Sequence, residues 1–338
     1  MGKLLGLLII AVGSFGQSSS YVPINKVRNW SWECFWLVQG LFAWLVFPLV
    51  GALVGKPSGM SLWELYGTAS CWKPVFYGLL WGVGGLTFGL SMRFLGVALG
   101  QSLALGTCSA FGTLLPAVFA GTDLWHGEGL RLLIGVCVTL AGIALIGYAG
   151  VLRSKGLSEE ERKSAIKDFA LTKGLLVALL AGVMSACFAL GLDAGTPFKE
   201  VALSAGVDPL FAGLPVILLV TFGGFLTNAS YCLFQNRRNR TFGQYFGIKG
   251  HDLLNNVLFC ALAGLLWYSQ FFGLEVGKSF LSSSPVLLAY SWCILMSLNI
   301  LFSNFWGLVL KEWKGARPKT VAVLVLGLAV LLLSVFIL

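Results

Sequence analysis

The sequence predicts an all-α integral membrane protein whose ten transmembrane helices form two inverted five-helix halves. Three observations carry that prediction. Charged residues make up 11% of the 338-residue chain, well under half the roughly 25% of an average soluble protein. Ten charge-free stretches of at least 19 residues run along it, and the next longest gap is 8. One long polar segment, 153–173, leaves five stretches on either side of it.

A hydrocarbon layer about 30 Å thick takes about 20 residues of helix, so each stretch can cross once. The stretches are 4–25, 34–55, 74–92, 94–122, 132–152, 174–192, 209–236, 253–274, 279–310 and 320–338. Solid apolar runs of this length exclude a transmembrane barrel, whose strands alternate over about 10 residues. Little chain remains for an extramembrane domain. Gly82, Gly84, Gly85 and Gly89 in the third span, and Gly96, Gly100, Gly106 and Gly112 in the fourth, predict helices that approach closely, since small residues drive association in lipid. In the linker, Ser158-Glu159-Glu160-Glu161 has capping-box spacing and predicts a short surface helix. Residues 1–152 and 174–338 are therefore the expected halves. Five spans each means opposite insertion, the inverted repeat of many secondary transporters.

Orientation follows from the basic residues. Of the 23 Lys and Arg, 17 fall in the loops after spans 1, 3, 5, 7 and 9. Basic loops stay cytoplasmic, so both termini are expected outside. The alternative for Met1 to Ser14 is a cleaved signal peptide with Lys3 as its charged region.

Enzyme motifs fail on spacing. Gly273-Leu-Glu-Val-Gly277-Lys278-Ser279 has three residues between its glycines where a phosphate loop has four, and it follows an apolar helix instead of a strand. His126 and His251 lie in different loops, and the eight Cys form no C-x-x-C, so no metal site, disulfide framework or cofactor is expected. The net charge of +9 belongs to the cytoplasmic loops rather than to a nucleic-acid surface.

The spans do carry neutral polarity, which in hydrocarbon must face a partner, the bundle interior or water. Gln17, Gln101, Asn228, Asn255, Asn256, Gln270, Asn299 and Asn304 divide between helix-to-helix hydrogen bonding and cavity lining. Most of the 12 Trp are expected as interface anchors. Trp267-Tyr268-Ser269-Gln270 differs, combining broad apolar faces with an amide inside a span, which suits the C–H face and hydroxyl edge of a sugar. Candidate substrate-binding residues are Gln17, Gln101, Trp267, Tyr268, Gln270, Asn299 and Asn304. Carboxylates are scarcer. Asp193 and Glu275 are expected at the outer edge and Glu33 a turn inside the inner one, where Lys26 or Arg28 is its expected ion-pair partner. These three are the candidates for proton coupling, Glu33 first. With so little negative charge inside, an uncharged substrate is expected.

Several strings together resemble the L-rhamnose–proton symporter family of the drug/metabolite transporter superfamily. They are Tyr21-x-Pro23-x-x-Lys26-Val27-x-x-Trp30-Ser31-Trp32-Glu33, Trp81-Gly82-x-Gly84, Phe88-Gly89-Leu90-x-Met92-Arg93-x-Leu95-Gly96, Gly206-Val207-Asp208-Pro209-Leu210, Trp267-Tyr268-x-Gln270-Phe271-Phe272 and Gly307-Leu308-Val309-Leu310-Lys311-Glu312-Trp313. The resemblance implies ten helices as two inverted halves, and import of a 6-deoxyhexose with protons across the bacterial inner membrane. It assigns no sugar-binding residue. Asp193 and Glu275 stand where the family is expected to be uncharged. The reading is a secondary active transporter working by alternating access, not an enzyme, with L-rhamnose or a related sugar, protons and the lipid bilayer as partners. Its alternatives are an exporter or exchanger of another metabolite, and a non-transporting membrane sensor or scaffold.

Overall fold

A computed structural model of the chain describes every residue except 1, 25, 96, 156–170, 248–249, 311–312 and 337–338. The Ser158 to Glu161 capping box lies outside the described residues. Among those described, all regular structure is helical, and ten helices are long and apolar enough to cross a membrane. We number these α1 (Gly2–Ser19), α2 (Trp32–Gly55), α3 (Trp72–Leu95), α4 (Val97–Phe119), α5 (Gly127–Lys155), α6 (Leu171–Ala194), α7 (Leu214–Asn239), α8 (His251–Leu281), α9 (Pro285–Val309) and α10 (Pro318–Phe336).

Several helices outrun their charge-free stretches because a charge is tolerated in a terminal turn. In α5, Glu128 sits in the first turn and Arg153 and Lys155 in the last, each beside the dipole end that favours its sign. Prolines at 215, 285 and 318 start α7, α9 and α10, where no backbone N–H is needed. Between spans, Ser61 and Glu64 form a full capping box on the helix Leu62–Gly67, and these bonds hold the Glu64 carboxyl below the usual carboxylate range.

The chain forms two compact units, each drawing segments from both sides of the linker. The first comprises residues 1–82 and 191–280. There α1 and α8 meet through small residues. A Cβ on Gly13 or Gly16 would strike Ser269, and Cβ atoms on Gly273 and Gly277 would meet the α1 backbone at Ile9 and Gly6. Ser269, Gly273 and Gly277 recur every four residues along one face of a single continuous helix. The string that looked like a broken phosphate loop is therefore a helix-packing stripe. Likewise Gly78 and Gly223 face each other across α3 and α7, backbone against backbone.

The second unit comprises residues 83–190 and 281–338. Its apolar core is Ile143, Ile146, Ala149, Ile300, Leu324 and Leu331. A buried polar network crosses it: the Tyr290 hydroxyl donates to the Gly135 carbonyl at 2.9 Å and bonds Thr139 at 2.7 Å, while Cys293 Sγ lies 3.0 Å from Ser109 Oγ. Tyr290→Phe should cost about 1–2 kcal/mol, since it removes the hydroxyl that bonds both the Gly135 carbonyl and the buried Thr139 hydroxyl. Thermal unfolding in detergent checks this, and an unchanged midpoint would contradict the network's role.

Candidate functional site

The first unit gathers five aromatic side chains around the middle of α2. Trp44 is central, its ring centroid 5.7 Å from Trp36, 5.9 Å from Trp81 and 5.9 Å from Trp267, at interplanar angles of 71°, 90° and 82°. Trp81 and Trp267 are 5.7 Å apart, and Phe271 is 5.1 Å from Trp267. Edge-on pairs of this kind place a ring's positive rim against another's negative face.

Local sequence makes the cluster possible. Within α2 the segment Phe42–Val46 is a π-turn, a one-residue insertion that re-aims the side chains on it and is frequent at functional sites. Gly40 precedes it, and a Cβ there would lie 2.6 Å from the Trp44 ring. Gly224 on α7 clears the same space for Trp81. Trp36 Nε1 donates to Asn228 Oδ1 at 3.2 Å, and Asn228 Nδ2 donates to the Gly224 carbonyl at 2.9 Å. Two polar atoms of α2 have no hydrogen-bond partner although buried: Trp44 Nε1 and Gln39 Oε1.

A second feature of the same unit is charged. Glu275 is two turns beyond Tyr268 on α8 and only 6% exposed. Lys199 Nζ, from the short helix Thr196–Ser204, binds its Oε1. Gly213, which precedes α7, is where any side chain would collide with the Glu275 carboxylate. Lys278 and Asp193 share the local field. Glu275, expected at the outer edge, is enclosed in protein between Lys199 and Gly213, and α8 continues six residues past it to Leu281.

Glu33 is also buried, 5% exposed, and its partners differ from those expected. Arg28 pairs with Asp252 at 3.6 Å, while Glu33 Oε1 accepts from Asn239 Nδ2 at 3.0 Å and Thr241 Oγ1 at 2.8 Å. The reason lies in the end of α7. Arg240 takes a left-handed conformation there, φ 56°, which turns the chain so that residues on both sides of it face the start of α2. Glu33 and Glu275 are thus both buried in protein.

The other candidates divide between the units. Gln17, Trp267, Tyr268, Gln270 and the exposed Asp193 belong to the first, and Gln101, Asn299 and Asn304 to the second. Trp267 enters the aromatic cluster. Tyr268 points away from it, toward Gly51, its hydroxyl buried without a partner. Gln270 Nε2 bonds back to the Trp267 carbonyl at 3.1 Å, and Asn304 Nδ2 to the Ile300 carbonyl at 2.9 Å. Gln17 Oε1 accepts from Ser18 at 3.3 Å. Asn255 and Asn256 hold the first loop by its backbone, bonding the Lys26 and Arg28 carbonyls at 2.9 and 2.7 Å.

Sequence reasoning missed Trp36, Trp44, Trp81, Gln39 and Lys199. A signal existed for two of them. Trp44 is near the middle of a 24-residue span and Trp81 well inside another, depths at which an interface anchor has no headgroup region to meet.

A family model described as L-rhamnose-proton symport protein (RhaT) matches residues 2–338. Similar proteins include the L-rhamnose-proton symporters of Yersinia pestis (strain Pestoides F) and Yersinia pseudotuberculosis (serotype O:1b, strain IP 31758). Each is 35% identical over 340 residues, covering 98% of this chain and 96% of its own.

Proposed function

This chain belongs to the L-rhamnose–proton symport family, and on that footing we propose that it imports L-rhamnose or a close monosaccharide together with protons. The observation that carries this is the match over the whole chain rather than over one motif. The family is one of transporters, not enzymes, and the ten apolar helices make the chain a multi-pass protein of the inner membrane.

The proposal extends to topology. Both termini face the periplasm, since the loops after the odd-numbered spans hold 17 of the 23 basic residues. Residues 1–152 and 174–338 are inverted halves joined by 153–173, and transport proceeds by alternating access. Trp267 presents an apolar face to the sugar, and neutral amides among Gln17, Gln101, Gln270, Asn299 and Asn304 serve its hydroxyls. For the coupling proton, Glu275 is favoured over Glu33 and Asp193. It is a buried carboxylate with a cation as partner, so its protonation state is tied to a local charge balance. Glu33 is engaged in tying α2 to the end of α7, and Asp193 is exposed.

Uptake of labelled L-rhamnose into proteoliposomes tests the function. An acid-outside gradient should drive accumulation above the equilibrium level, and a protonophore should abolish it. Uptake that only equilibrates, whatever the gradient, would overturn the coupling. No exchange of L-rhamnose at all would overturn the substrate.

A further inference from the structure

The geometry points to a pyranose subsite at the π-turn of α2, in which Trp44 and Gln39 together hold a sugar hydroxyl against the indoles of Trp44, Trp81 and Trp267. It rests on the reading of the chain as a sugar transporter and adds residues that neither the family nor the sequence motifs assign.

Three independent observations meet there. Trp44 Nε1 is a donor without an acceptor, and Gln39 Oε1 is an acceptor without a donor. Their residues are only 4% and 2% exposed, so bulk solvent does not reach these atoms. Leaving such groups unpaired is costly and rare in native structures, and it calls for an explanation. One indole N–H and one amide oxygen form a complementary set for a hydroxyl, which accepts from the first and donates to the second. Two neighbouring hydroxyls would satisfy the same pair.

The backbone supplies the second observation. Gln39 lies in the last α-helical turn before the π-turn Phe42–Val46 and Trp44 lies within it, and a π-turn closes on the fifth residue where an α-turn closes on the fourth. The insertion thus resets the direction of Trp44 relative to the turn that carries Gln39. Gly40, lying between them in the chain, is bare where the Trp44 ring passes.

The third is the apolar wall. Trp44, Trp81 and Trp267 have centroids within 6 Å of one another. Flat indoles match the C–H face of a pyranose, and a deoxy sugar offers a methyl group where a hydroxyl would have to be dehydrated.

The test is sugar counterflow in proteoliposomes without a pH gradient, so that coupling defects do not enter. Trp44→Phe keeps a ring and removes the N–H, and it should raise the half-saturating L-rhamnose concentration about tenfold, the effect of one such hydrogen bond. Trp63→Phe, at a side chain 89% exposed, should leave it unchanged. A series of mono-deoxy L-rhamnose analogues then reads the partner hydroxyl. One analogue should bind about tenfold more weakly than L-rhamnose to the wild type, yet equally to Trp44→Phe, the signature of a lost pairwise interaction. Gln39→Leu should single out the same hydroxyl or its neighbour, and the result stands on whichever variant keeps the wild-type melting temperature. Analogue penalties identical in wild type and both variants would overturn the subsite. If the wild type exchanges a different sugar and not L-rhamnose, the substrate reading fails instead. The deoxy series on that sugar then supports or overturns the subsite by the same criterion.

Discussion

Glu275→Gln is expected to abolish proton-driven accumulation of sugar while leaving counterflow in place. In the wild type a buried carboxylate is balanced by Lys199, with Lys278 and Asp193 in the same field and the unpartnered Tyr268 hydroxyl two turns away. Taking up a proton there unpairs Lys199, so the two charge states favour different local arrangements, which is what coupling needs. The amide is fixed in one state and gives the gradient nothing to act on. Uptake into proteoliposomes at matched and unequal pH reads this directly. Glu33→Gln should accumulate as the wild type does, because its partners are neutral donors that an amide oxygen also satisfies. The reverse result, accumulation lost with Glu33→Gln and kept with Glu275→Gln, would move the coupling proton to Glu33. Stability gives an independent reading of the pair. Glu275→Ala leaves Lys199 without its partner and should cost about 3 kcal/mol, the low end for a broken buried pair because the Lys199 side chain is 32% exposed. Removing both charges, with Lys199→Met and Glu275→Leu, should recover most of that loss.

Gly78→Val is expected to be among the most damaging single substitutions in the first unit. Any side chain at 78 would run into the Val220 carbonyl, and the atom it meets is backbone, which cannot swing aside as a flexible side chain can. The partner glycine on α7, Gly223, faces back onto Val75 and Gly78, so neither helix can yield without losing the other's contact. Overpacking of a well-fitted interior costs about 1–3 kcal/mol, and with backbone as the obstacle the upper part of that range applies. Gly85 and Gly89 on the same helix are the controls. Nothing stands within 4 Å of a Cβ at either, so their replacement by alanine should be neutral or stabilising by up to about 1 kcal/mol through helix propensity. Melting curves of the three variants in one detergent decide it, and equal losses at 78, 85 and 89 would contradict the packing.

Four glycines of α3 show where the sequence stops being informative. They look alike by neighbourhood, yet Gly78 and Gly82 meet α7 while nothing stands within 4 Å of a Cβ at Gly85 or Gly89. The asparagines behave similarly. Asn228, Asn255, Asn256 and Asn304 are equally polar residues in spans, and each is engaged with backbone or an indole rather than left facing a cavity. Buried polar atoms without a partner fall on Tyr268, which the sequence singled out, but also on Gln39, which it did not, and on Trp44, which passes for an anchor by residue type.

The sequence by itself determined the solvent, the number of spans and the family. Those depend on chain-local sums: enough consecutive apolar residues to cross hydrocarbon, and charges that end each run. Strings such as Trp267-Tyr268-x-Gln270-Phe271-Phe272 carry the family because they order unlike residues. The tertiary structure alone decided which side chains are partners. It paired Glu275 with Lys199, 76 positions away, and Glu33 with Asn239 and Thr241, more than 200 away. It also placed a π-turn under Trp44, which no propensity announces because one extra residue in a helix is favoured only by what packs around it. Partnership in lipid is set by which faces meet across helices, and every face of these spans is apolar enough to have met another.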